Sequence, residues 1–129
     1  MDPGERMVRE FFASLPDDEF RHRDHLRLAW LAVRNTDQPV EVVGRAIRRY
    51  AEAHGAAAKY HETITAFWVR LVAHAVSELP HIEDFDVFLD AFPLLLDKRL
   101  ASHHWSDHVL WSDGARAAWA EPDLQPLPC

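Results

Sequence analysis

Two short runs of this sequence carry residue types able to do chemistry. The first is Phe20-Arg21-His22-Arg23-Asp24-His25-Leu26-Arg27-Leu28-Ala29-Trp30. His22 and His25 are three residues apart, so at the start of a helix they share a face, and Ala29 and Ala32 continue that stripe. Two imidazoles beside two small side chains leave room for a ligand or a metal ion. The structural alternative is that His22 caps the helix and His25 packs against an aromatic ring.

The second run is Lys59-Tyr60-His61-Glu62-Thr63-Ile64-Thr65-Ala66-Phe67-Trp68. Six side chains able to ionise or hydrogen-bond stand at the mouth of the most apolar stretch of the chain, where burial is costly unless they are paired. A neutral account exists: Glu62 suits the start of a helix, and Thr63 or Thr65 can bond back to the backbone. Yet His61, Thr65, Trp68 and Val72 form one helical stripe, polar at the mouth and apolar below, as the wall of a pocket would be. A helix start also disfavours imidazolium, which predicts a neutral His61. Neutral imidazole is the form a metal ligand or general base needs. Glu62 points about 100° away from His61, so the two need not serve one atom.

These residues support three readings. In the first, His25 and His61 hold a divalent transition metal, with His22 or Glu62 completing the set; imidazole and carboxylate ligands suit iron, zinc or manganese. In the second, no metal is needed: His61, Glu62 and His25 are the catalytic residues, Tyr60 is a proton donor, and Trp30, Thr65 and Trp68 line the substrate pocket. In the third, the chain is a binding or scaffold protein whose histidines finish a polar core. A later group, His103, His104 and His108, has a pair four residues apart, a chelating spacing on a helix. It follows a helix end, however, and Ser106-Asp107 reads as a cap, so a solvated turn is expected. The chain contains no His-Glu-x-x-His, no paired Glu-x-x-His and no glycine-rich phosphate loop.

The elements that must position these residues are helical. Asp2-Pro3 opens a first helix with the stripe Val8, Phe11, Phe12 and Leu15, ended by Pro16. A second is expected from His22 to Asn35, with Leu26, Trp30 and Val33 inward. A third starts near Pro39, turns Val43, Ile47, Tyr50 and Ala51 inward, and stops at His54-Gly55. The fourth, from about Tyr60 to Leu79, is apolar on more than one face and belongs at the centre. Phe85, Phe88, Leu89 and Phe92 suggest a fifth helix broken by Pro93, and residues 94–100 a sixth. A short helix over residues 114–119 leads into an extended tail. No segment alternates as a strand does. The expectation is a compact, all-α, single-domain bundle of about five to seven helices over residues 1–129, with an extended C-terminal tail.

At 129 residues the chain suits one domain. Its charge of −7, from 21 acidic and 14 basic residues, argues against nucleic acid as a partner. Arg45, Arg48 and Arg49 cluster, but Glu41 and Glu52 stand one turn away and are expected to pair with them. No apolar run is long enough for a membrane span, which needs about 18–20 residues. The start lacks the features of a signal peptide. The single cysteine, Cys129, forms no internal disulfide and is a poor nucleophile candidate. A cytoplasmic enzyme acting on a small-molecule metabolite is expected.

His22-x-Asp24-His25-Leu26-Arg27-Leu28-Ala29-Trp30 and Lys59-Tyr60-His61-Glu62-Thr63-Ile64-Thr65 together resemble a family of small, largely uncharacterised bacterial helical proteins. The ending, Ala115-Arg116-Ala117-Ala118-Trp119 with Pro122-Asp123-Leu124-x-Pro126-Leu127-Pro128, is similar to that family's as well. The resemblance implies that His25, Tyr60, His61 and Glu62 form the site, and it implies no particular activity. The group at His103, His104 and His108 is outside its pattern.

Overall fold

The structure is a computed structural model that describes residues 2–16 and 19–128; Cys129 lies outside the described residues. Among them are seven α-helices and no strand: α1 (Pro3–Ala13), α2 (His22–Asn35), α3 (Pro39–Ala53), α4 (Glu62–Glu78), α5 (Phe85–Ala91), α6 (Asp107–Leu110) and α7 (Asp113–Ala117). The chain is an all-helical bundle, and none of these helices is long and apolar enough to cross a membrane.

Local sequence sets most of the boundaries. Asp2 accepts from the Glu5 N–H at 2.8 Å and Pro3 follows it, which fixes the start of α1. Asp84, Ser106 and Ser112 cap α5, α6 and α7 in the same manner. Beyond α3, Gly55 takes φ 67°, the left-handed stop that favours glycine. The central helix is α4, packed on both α2 and α3. Phe67, Val69 and Val72 are almost fully buried, and they meet Leu26 and Leu28 of α2 and Val43 of α3 in one core.

Two sequence expectations change. Residues 94–100 do not form an α-helix; the chain makes 3-10 turns at Pro93–Leu96 and Leu100–His103. Asp97 is the reason, since its backbone is extended (φ −81°, ψ 102°) and its carboxylate accepts from the Arg99 N–H at 3.0 Å, a local bond that competes with a helix. The ion pairs expected of Glu41 and Glu52 on α3 are not formed among the described residues. Arg48 instead lies over the Tyr60 ring, 5.2 Å from its centroid. Exposed pairs contribute little enough that such a packing contact can displace them.

The C-terminal residues form no helix beyond Ala117, bend at residues 123–125 rather than running straight, and are fastened to the bundle. Thr63, fully buried, donates its hydroxyl to the Ala118 carbonyl (2.9 Å) and accepts from the Ala120 N–H (3.0 Å). The Trp105 indole donates to the Ala120 carbonyl at 2.9 Å, and the Leu124 N–H donates to the His104 carbonyl at 2.9 Å. The segment is a strap that closes over the start of α4.

Candidate functional site

The starts of α2 and α4 open into one cleft of about 960 Å³, within the range typical of small-molecule sites. His22, His25 and Ala29 of α2 line it, as do Thr65 and Trp68 of α4, His61 at its cap, and Tyr60 just before it. Val43 and Ile47 of α3 complete the inner wall, and Leu96, Lys98 and Trp111 from the later turns stand at the rim. Ala32 and Val72, expected on the same stripes, are buried in the core instead. A smaller groove of about 610 Å³ lies between α1 and α3, walled by Val8, Phe12 and Tyr50. It is bordered by charges of both signs and holds no histidine.

The three imidazoles differ in what they have left to offer. His61 is only 6% exposed and both its nitrogens are engaged. Nδ1 accepts from the Ile64 N–H (3.1 Å), which makes His61 the N-cap of α4, and Nε2–H donates to the Leu110 carbonyl (2.6 Å). That pair of bonds defines the neutral Nε2–H tautomer, and burial lowers its pKa in agreement. Trp111 covers the ring edge-to-face at 5.5 Å.

His22 donates through Nε2–H to the Leu95 carbonyl (2.8 Å) and rests against Trp68, with centroids 4.5 Å apart. Its Nδ1 keeps the lone pair. His25 donates through Nδ1–H to the Arg21 carbonyl (2.9 Å), one turn back on α2. Its ring lies flat on Phe20, centroids 3.8 Å apart and planes 6° from parallel. The stack and the hydrogen bond together hold the ring, and Nε2 retains its lone pair with no hydrogen bond to any described residue. Burial lowers the pKa of both His22 and His25 from 6.5, so both are neutral at pH 7.

Tyr60 and Glu62 form a pair of their own. The phenol donates to Oε1 of Glu62 at 2.6 Å, and burial, reinforced by that carboxylate, raises the tyrosine pKa well above its ordinary value. Gly44 of α3 makes space for the hydroxyl, since a Cβ there would stand 2.9 Å from it. Glu62 therefore faces α3 and lies outside the lining of the cleft. Trp30 is also elsewhere: it packs in the core against Phe85 and Phe88 with Arg34 over its ring.

Among the described residues no three His, Cys, Asp or Glu side chains are grouped to hold a metal ion. The donor set His22, His25 and His61 does not fit one as it stands, because His61 has no free nitrogen. The late histidines are dispersed, with His104 Nδ1–H donating to the Gln125 carbonyl (3.1 Å) on the strap. Ser106 caps α6 through the Val109 N–H (3.3 Å).

The sequence reading did not include Phe20, Leu96, Lys98 or Trp111 in the site. Phe20 had a signal, since an aromatic partner for His25 was expected and Phe20 is the aromatic residue just before the start of α2. The others come from turns whose placement depends on the assembled bundle. Comparison of the chain with protein-family models, curated proteins and solved structures finds no match, so the site is read from its own geometry.

Proposed function

We propose that this chain is a small-molecule enzyme that needs no metal, with His25 as the general base of the cleft between α2 and α4. One observation carries the reading. His25 lines the cleft with its tautomer committed by the Arg21 carbonyl and its ring held on Phe20, leaving Nε2 as an unprotonated lone pair. A base that is neutral, oriented and desolvated is prepared to take a proton without reorganising. His22 is a second neutral imidazole on the same face, and Trp68 offers an apolar wall. His61 and Tyr60 line the cleft rather than react in it, and Glu62 stands outside it, since each is engaged with another group of the chain. A metal held by His61 would require it to release either Leu110 or the start of α4.

A general base can be tested without knowing the natural substrate. In the probe 5-nitrobenzisoxazole, removal of the ring C–H proton by a base breaks the N–O bond and gives a yellow cyanonitrophenolate. The protein should accelerate this elimination beyond an equal concentration of free imidazole, in the presence of a chelator. The rate should be fully developed at pH 7 and fall only below the ordinary imidazole value of 6.5, because protonation of His25 is held back. No acceleration over imidazole, or a rate abolished by chelation, would overturn the reading.

A further inference from the structure

The chemistry around the mouth of this cleft is one-sided. Lys59 and Lys98 both line it, and neither meets a carboxylate within ion-pairing distance among the described residues. Arg21 and Arg23 line it too, although Glu19 pairs with the first and Asp86 with the second. No Asp or Glu among the described residues contributes to the lining. This is a local reversal in a chain whose net charge is −7. A cationic rim on an acidic protein focuses one sign of ligand onto one place.

The cleft is also graded from mouth to floor. Ala29, Val43 and Val69 are buried and apolar at its base. Leu96 and Trp111, about half exposed at 48% and 51%, are two of the five large apolar side chains that the described part of the chain leaves open, and both stand at this mouth. Exposed apolar side chains beside a concave site are surface that a ligand would cover.

Resting on the general-base reading of the same cleft, we infer that its ligand is a small organic carboxylate with an apolar, flat body. The body enters first, against Trp68 and the aliphatic floor. The carboxylate stays at the rim, between Lys59 and Lys98. His25 and His22 stand between these two zones, about one and two turns of α2 outward from Ala29. The atom they reach is therefore one close to the carboxylate rather than at the far end of the ligand.

Three probes with one body and different heads test the inference: 3-phenylpropanoate, 3-phenylpropanol and 3-phenylpropylamine, titrated against the whole chain and followed by NMR shifts of the Ala29 and Val69 amides. The carboxylate should bind about tenfold more tightly than the alcohol, and the amine more weakly than either. Lys59→Ala with Lys98→Ala should remove most of the carboxylate's advantage and leave the alcohol unchanged. Added salt should weaken the carboxylate alone. An alcohol that binds as well as the carboxylate, or an amine that binds best, overturns the inference. So does failure of all three to bind. If elimination of 5-nitrobenzisoxazole by His25 persists in any of these cases, the general-base reading stands without the carboxylate. If that elimination is absent while the carboxylate binds as expected, the general-base reading fails and the ligand class stands.

Discussion

At the scale of residues, histidines only a few ångströms from one cleft have different tasks, and hydrogen bonds rather than position separate them. His61 spends both nitrogens on the backbone, so its replacement is a matter of stability. His61→Ala removes the cap of α4 and strands the Leu110 carbonyl, and should cost about 2–3 kcal/mol. His61→Asn restores a side-chain oxygen for the Ile64 N–H, and should recover about 1 kcal/mol of that loss. Phe67→Ala, at a position with no exposure, supplies the scale of a core deletion at about 3–5 kcal/mol. Urea melts of the three variants measure this. His61→Ala with wild-type stability would contradict the capping role.

Part of this was legible in the chain itself. The pairing of His22 with His25 and the stripe from His61 to Trp68 follow from helical spacing, whereas the neutrality of His61, expected from the helix start, comes from its burial. Trp30 was expected to line the pocket and does not, packing against Phe85 and Phe88 instead. Five residues after His25 at about 100° each, Trp30 stands about 140° around α2 from it, away from the face that lines the cleft. That both nitrogens of His61 would be engaged was not legible, because the Nε2 bond is to Leu110, 49 residues away.

At the scale of elements, the strap is the feature that joins the C-terminal segment to the start of α4. Thr63 is its anchor, with one hydroxyl serving as donor to Ala118 and acceptor from Ala120. Thr63→Val keeps the shape but leaves both backbone groups without their partner, and should cost about 1–3 kcal/mol. Hydrogen exchange should quicken at the Ala120 and Leu124 amides well before it does in α2. Unchanged protection at those amides would mean that the strap is held elsewhere. The helices themselves were largely readable: α2 runs from His22 to Asn35 as its periodicity predicts, and α3 ends at the left-handed Gly55. The stretch between α5 and α6 was not, because the consecutive leucines at residues 94–96 read as a continuing helix while the local bond of Asp97 to the Arg99 N–H leaves no periodic mark. The fastening of the C-terminal segment left no periodic mark in its sequence.

At the scale of the whole molecule, the three neutral imidazoles connect the fold to pH. Burial lowers the pKa of His22, His25 and His61 in the folded chain, while the unfolded chain keeps values near 6.5. Between the lowered values and 6.5 the unfolded state binds more protons, so stability is complete above 6.5 and declines as pH falls through that window. The urea midpoint should therefore be lower at pH 5 than at pH 7.5, with a shallower dependence in His61→Asn. A midpoint that rises on acidification would contradict the burial of these rings as neutral species.

The central claim is that His25, and not His61, is the base of the cleft. The most direct test is the initial rate of 5-nitrobenzisoxazole elimination at pH 7 by His25→Ala and by His61→Asn, each checked for helical content. The account predicts a loss of about a hundredfold in His25→Ala, the ordinary worth of a positioned base, and a rate within about twofold of wild type in His61→Asn. A folded His25→Ala that retains the wild-type rate, or a His61→Asn that loses it, would contradict the account.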